Sequence, residues 1–188
     1  MTVSPQRRLF LGIPLPSEIL YPLHDFRYAH DDLSGVKWVQ EDLLHITMYF
    51  FGEIPGEIVD NLLNLIYLGV KGRSSFSLTF DKYSFAPPGQ EARMIWARYQ
   101  KHPMFREMAI RLHELFLQIR PEQQFRKSPI PHITLARLRN FQQTEMLTFP
   151  PQGLPRLEVD QLILWESQLS PQGPEYEEIH RFRLMESE

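Results

Sequence analysis

The tripeptide His-Ile-Thr occurs twice in this chain, in LHITMYF at residues 44–50 and in PHITLAR at residues 131–137. Its histidines, His45 and His132, stand 87 residues apart, a little under half of the 188-residue length. Each copy runs into an apolar residue, Met48 or Leu135, within a short apolar stretch of strand type. On a strand, residues i and i+2 share a face and lie about 6.6 Å apart. His45 and Thr47 therefore point the same way, and so do His132 and Thr134. Ile46, Met48, Ile133 and Leu135 take the other face and anchor each motif in a core. Two such pairs across a cleft make a near-symmetric cage of two imidazoles and two hydroxyls, which suits a tetrahedral phosphate. Imidazole titrates at about 6.5 when unperturbed, so one ring can carry a proton while the other accepts one. One His-x-Thr arises readily by chance; an identical pair with matching strand parity carries the reading.

Weaker candidates surround this set. Phe10, Tyr49 and Phe51 are candidates for stacking on a base; Phe10 and Phe51 read rather as core residues, whereas Tyr49 shares strand parity with His45. Arg120, Arg126, Lys127, Arg137 and Arg139 face only Glu122 across residues 120–139, a patch able to attract phosphate. Arg137 is the preferred contact because it is close to His132, although its parity is opposite unless the strand bends. The other histidines (His24, His30, His102, His113 and His180) have no partner at useful spacing and read as structural or surface residues.

Rival chemistries fit poorly. Two histidines with threonines and no nearby carboxylate are a meagre set for zinc, so no metal is expected. The chain has no cysteine, which removes thiolate catalysis and disulfides. A Gly-x-Ser-x-Gly elbow and a P-loop are also missing from the sequence. A non-catalytic nucleotide-binding module is the remaining alternative, but binding alone would tolerate loss of the His and Thr pairs.

Positioning the pairs requires strands. Residues 8–13, 36–39, 43–51, 76–80, 94–99, 130–138, 157–165 and 176–184 read as strands from alternation or compact apolar runs. Gly52 and Pro55 are read as ending the motif-bearing strand. Residues 16–30, 57–68 and 104–119 carry apolar stripes at helical spacing. The mixed order makes the class α+β, and FPPQGLP at 149–155 is a loop rather than a linker, so residues 1–188 are expected to be one domain. The formal net charge of −3 argues against a generally basic nucleic-acid surface, so any polynucleotide contact is expected to be local. The apolar run near the N-terminus is short and broken by proline, which fits neither a signal peptide nor a membrane span. A cytoplasmic monomer is the default expectation.

RLFLGIPLP, VKWVQEDLLHITMYFFGE, FRKSPIPHITLARL and LILWESQLSPQGPEYEEIHRFRL span almost the whole chain. Over these segments the sequence resembles the two-histidine phosphoesterase superfamily. The closest likeness is to its LigT-like branch of RNA 2',3'-cyclic phosphodiesterases, also called 2'-5' RNA ligases. The resemblance implies a bilobal fold of two similar antiparallel-sheet lobes, helices outside, and a central cleft with one His-x-Thr motif from each lobe. It implies hydrolysis of an RNA or nucleotide 2',3'-cyclic phosphate to a 2'-phosphate without metal or cofactor, with weak 2'-5' ligation as a side reaction. Carried over by position, His45 is the proton donor, His132 the proton acceptor, and Thr47 and Thr134 hold phosphate oxygens. The substrate it implies is an RNA 3' end or a small cyclic nucleotide. Tyr49 and Phe51 depart from the family's usual residues, which bears on substrate preference.

Overall fold

A computed structural model describes residues 5–125, 129–139, 146–171 and 173–186. In chain order the elements are β1 (Gln6–Pro14), α1 (Ser17–Tyr28), β2 (Val36–Trp38), β3 (His45–Pro55), α2 (Val59–Val70), β4 (Phe76–Leu78) and β5 (Phe80–Ala86). They continue as β6 (Met94–Tyr99), α3 (Pro103–Phe116), β7 (His132–Leu138), β8 (Leu157–Val159), β9 (Gln161–Ser170) and β10 (Gly173–Arg183). The α+β class is as expected.

The main sheet runs β10-β9-β1-β3-β7-β6-β5, with β2 added against β7. All its pairings are antiparallel. The two motif strands are neighbours at its centre, yet β3 and β7 meet at a single register pair, Ile46 with Ile133. Each half is otherwise zipped within itself: β3 to β1 over nine register pairs and β7 to β6 over five. The two motif strands thus share one register pair of isoleucines, with the histidine that precedes each isoleucine on the other face.

Apolar stripes of the helices close the opposite face. Ile19, Leu23 and Phe26 of α1, Leu62 and Ile66 of α2, and Met108, Leu112 and Phe116 of α3 join Leu9, Leu11, Ile46 and Ile133 in one buried cluster. Each fully buried Leu, Ile or Phe side chain stabilises by about 1.5–3 kcal/mol. Pro103 opens α3 at the first turn, where its missing N–H costs nothing.

Both motif strands carry an irregularity at the same place. Gly12 faces Thr47 while Leu11 faces Tyr49, so Met48 is an extra residue in β3. Trp96 faces Thr134 while Ile95 faces Ala136, so Leu135 is an extra residue in β7. These are β-bulges, and each flips the alternation that follows it. The physical reason is clearest in β7. Unbroken alternation would send Arg137 into the core with Ile133 and Leu135. An unpaired buried guanidinium costs several kcal/mol, whereas a bulge forfeits about one ladder hydrogen bond, net about 1 kcal/mol. In β3 the bulge buries Tyr49 and leaves Phe50 outside at 44% exposure.

Other boundaries shift for local reasons. The motif strand does not end at Gly52; it continues to Pro55 through a second bulge at Phe51, which Gly52 permits with φ +81°. The single strand expected over 157–165 is two, because β8 leaves the main sheet to pair with β4.

Candidate active site

A cleft of about 210 Å³ opens over the junction of β3 and β7, and His45, Thr47, His132 and Thr134 all line it. The four residues chosen from the repeat therefore converge. Arg137 and Phe10 line the same cleft. Tyr49 does not: it is buried, packs among Phe51, Phe116 and Phe125, and its hydroxyl hydrogen-bonds to His113 Nδ1 at 2.9 Å. The bulge at Met48 is the cause, and Phe50 takes the cleft position in its place. In the repeat, Phe50 and Arg137 are equivalent, each five residues after its histidine. Of the basic patch, Arg120 donates instead to the Glu53 carbonyl at 2.6 Å, and Arg126 and Lys127 lie outside the described residues.

The two imidazoles are held by the same device. His45 Nδ1 lies 2.8 Å from the Leu43 carbonyl oxygen and His132 Nδ1 lies 2.8 Å from the Ile130 carbonyl oxygen. A carbonyl only accepts, so each Nδ1 bears hydrogen and each neutral ring has its lone pair on Nε2. His45 Nε2 is 2.9 Å from Thr47 Oγ1, which donates to it while the ring is neutral.

Their surroundings differ. Phe10, Tyr176 and Trp165 enclose His45 at ring-centroid distances of 4.7, 5.4 and 5.6 Å. Burial pushes the His45 pKa down to about 4; the Leu43 carbonyl opposes the shift, and repulsion from His132 adds to it. His132 instead lies face-on to Trp96, 3.8 Å away with planes 26° apart. An indole face attracts an imidazolium.

Sequence reasoning missed Arg8, Phe50, Ser167 and Tyr176, which line the cleft together with Val39 and Leu43. Arg8 sits 5.0 Å from the Phe50 ring centre. Burial raises the Tyr176 pKa, and Arg137 and Arg8 oppose the rise, so both cations act on the same phenol. A signal for Phe50 was present: MYFF is four apolar residues in a row, which period-two alternation cannot sort into faces. Ser167 and Tyr176 come from β9 and β10, which local pattern does not link to the motifs.

Gly12 is the floor beneath His45. A Cβ there would lie 2.8 Å from the Ile46 carbonyl oxygen, 3.0 Å from Trp165 and 3.3 Å from His45 Cδ2. The carbonyl is backbone and cannot step aside without opening β1 from β3. Gly12→Ala is expected to cost about 1–3 kcal/mol, as other overpacked sites do, lowering Tm by roughly 3–10 °C and reducing turnover through the displaced ring. A thermal melt and an assay on the same sample check both; an unchanged Tm would disprove the close approach.

The depressed His45 pKa also sets a stability trend. In the unfolded chain the ring takes up a proton near 6.5, before the folded one does. Its contribution is intact above about pH 6.5 and is lost as pH falls toward about 4. His45→Gln is therefore expected to flatten the fall of stability across that window in urea melts. An identical pH trend in both proteins would mean that the ring is solvated.

Residues 13–96 match the family model described as LigT like Phosphoesterase. The RNA 2',3'-cyclic phosphodiesterase of Escherichia coli is 30% identical over 159 residues, covering 80% of this chain and 81% of the relative. That of Methanocaldococcus jannaschii is 28% identical over 182 residues, covering 92% and 98%. Among solved structures, E. coli LigT in its apo form superposes with a TM-score of 0.78 at 26% identity, covering 97% of this chain and all of that one (100%). The E. coli LigT complex with 3'-AMP gives a TM-score of 0.75 at 27% identity, covering 96% and 99%. With a shared fold, near full-length coverage and both His-x-Thr motifs in one cleft, the chain belongs to the LigT-like phosphoesterase family.

Proposed function

We propose that this protein hydrolyses the 2',3'-cyclic phosphate of an RNA 3' end or a small nucleotide to a 2'-phosphate, by acid–base catalysis between His45 and His132. The observation that carries this is the meeting of two Nδ1-anchored imidazoles and two threonine hydroxyls in one cleft. Cyclic phosphodiesterase activity is what the relatives' names report of them.

Hydrolysis adds water to phosphorus and expels one ribose oxygen. His132 Nε2 takes the water proton, and His45 Nε2–H protonates the departing oxygen. Thr47 and Thr134 donate to the non-bridging oxygens, whose charge grows in the transition state. Arg137 supplies the cation nearest the β7 pair, and Phe10 and Phe50 border the nucleoside side. Donor and acceptor roles follow the family pattern. A phosphate monoanion between the rings offsets both the desolvation of His45 and its repulsion from His132, which favours the proton on His45 that the donor role requires.

Two tests apply. Hydrolysis of 2',3'-cyclic AMP in EDTA, with the product read by phosphorus NMR, is expected to give the 2'-phosphate; no turnover, or turnover abolished by chelator, overturns the reading. The pH profile of kcat/KM is expected to be a bell whose acid limb lies near 4, where the second proton reaches His45. The acid limb of kcat is expected at higher pH, because the bound anion favours both protonated rings. An acid limb that sits at the same pH in both profiles would mean that the bound anion does not raise the His45 pKa.

A further inference from the structure

Tyr176 lies on β10, the outermost strand of one half of the sheet, three strands from His45 along the order β10-β9-β1-β3. Neighbouring strands are about 4.8 Å apart, so a flat sheet would keep the two backbones about 14 Å apart. The two rings nevertheless lie 5.4 Å apart and nearly perpendicular, at 78°. Sheet twist and the length of the side chain close the gap. Tyr176 leans across Phe10, whose ring centre is 4.9 Å away. The phenol thus borders the imidazole that serves as proton donor.

Its hydroxyl has no use within the fold. A tyrosine O–H that is largely removed from water usually finds a partner. Tyr176 is half-buried, yet its hydroxyl bonds to no group among the described residues. Nor is the oxygen sealed in the core, as the unpartnered Tyr99 hydroxyl is; the side chain is part of the cleft wall.

Two cations from different parts of the sheet converge on this phenol. Arg8 comes from β1 and Arg137 from β7, and both act on its ionisation. An oxygen within reach of both walls lies between them, where a phosphate held by Thr47 and Thr134 also lies. Burial outweighs the two arginines and raises the Tyr176 pKa, so the phenol keeps its hydrogen wherever an imidazole pair works. It is a fixed donor rather than a base. While His45 is neutral, the Thr47 hydroxyl donates to its Nε2 at 2.9 Å. Tyr176 supplies a hydroxyl on the same side with no such commitment.

We propose that Tyr176 is a further catalytic residue: its phenolic O–H donates a hydrogen bond to a non-bridging phosphate oxygen on the His45 side of the cleft. The inference rests on the cyclic phosphodiesterase reading. No proton changes hands at this contact. The bond strengthens as charge grows on the oxygen in the transition state, so the hydroxyl acts on kcat more than on KM.

Tyr176→Phe keeps the ring and deletes the hydroxyl. No protein group loses a partner, so the fold is retained; circular dichroism checks it. On 2',3'-cyclic AMP in EDTA, kcat is expected to fall about 10- to 10³-fold, as for other lost oxyanion donors, with KM changed less than about threefold. The acid limb of kcat/KM is expected to stay near 4, because the ring still keeps water from His45. Tyr176→Leu removes the ring as well, and its acid limb is expected to move to higher pH as His45 is rehydrated. An unchanged kcat in Tyr176→Phe overturns the assignment. So does a rise in KM alone, which marks a contact made equally in the ground state. A loss accompanied by an acid limb displaced as far as in the leucine variant also overturns it, because the hydroxyl then acts through His45. If the wild type turns over no cyclic phosphate, the hydrolase reading fails by itself and inorganic phosphate decides the contact. Titration calorimetry is then expected to show about 10-fold weaker phosphate binding in Tyr176→Phe, the worth of a hydrogen bond to a charged group; equal affinity overturns the contact.

Discussion

His45→Ala and His132→Ala are each expected to lower kcat by about 10²- to 10⁴-fold, the usual worth of a positioned acid or base, with a smaller change in KM. The two losses should not add. Donor and acceptor serve one displacement, so once either is missing the other has little left to assist, and the double variant is expected to be barely slower than the worse single one. Neither ring is part of the apolar core, since both line the cleft, and each is fixed mainly by its Nδ1 bond to a carbonyl two residues earlier. The variants are therefore expected to fold, which a melt confirms separately from activity.

The order of roles has its own test. A diester that expels p-nitrophenolate needs no proton on its leaving oxygen. His45→Ala should recover most of its lost rate on such a substrate if His45 is the donor, and His132→Ala should not. Recovery in the His132 variant alone would reverse the assignment. That outcome has a structural motive, because burial favours a neutral His45 by pushing its pKa down to about 4. Retention of full activity by either alanine variant removes the pair mechanism altogether.

What the sequence reveals of this site depends on how local the determinant is. His45, Thr47, His132 and Thr134 are legible because i and i+2 share a face on any strand, and the repeat marks both strands at once. The α+β class is legible for the same reason, as are the helical stripes of α2 and α3. Tyr49 is the instructive failure. Parity counted from His45 sends it to the cleft, but parity holds only to the next bulge, and the bulge sits one residue earlier. Arg137 is the same event read in reverse: counted by parity it belongs in the core, and its charge forbids that. An arginine at a nominally buried strand position is thus a sequence signal for a bulge, and the equivalent position in the first motif then gives Phe50. Ser167, Tyr176 and Arg8 reach the cleft only through the order β10-β9-β1-β3. That order is a property of long-range pairing and leaves no mark on local composition.

The two threonines look equivalent in the repeat, and their removal tests whether they act alike in the cleft. Thr47→Val and Thr134→Val keep the branched shape that a strand favours and delete only the hydroxyl. Each is expected to cost about 10- to 10³-fold in kcat, as lost oxyanion donors do. Thr47 has a second task, because its hydroxyl donates to His45 Nε2 at 2.9 Å while the ring is neutral. That bond stabilises the neutral ring. Deleting it withdraws support from the uncharged form, so the His45 pKa should rise from about 4 and the acid limb of kcat/KM should move to higher pH. Thr134→Val lacks this effect if its hydroxyl serves the phosphate alone, and its acid limb should stay in place. The expected pattern is two comparable rate losses with one displaced limb, and Thr47→Ser, which restores the hydroxyl, should return both rate and limb toward the wild type. If the limb moves in neither valine variant, the Thr47 hydroxyl does not govern the protonation of His45. If the rate falls in neither, phosphate oxygens are held elsewhere in the cleft, where Arg8, Arg137, Ser167 and Tyr176 also carry donors.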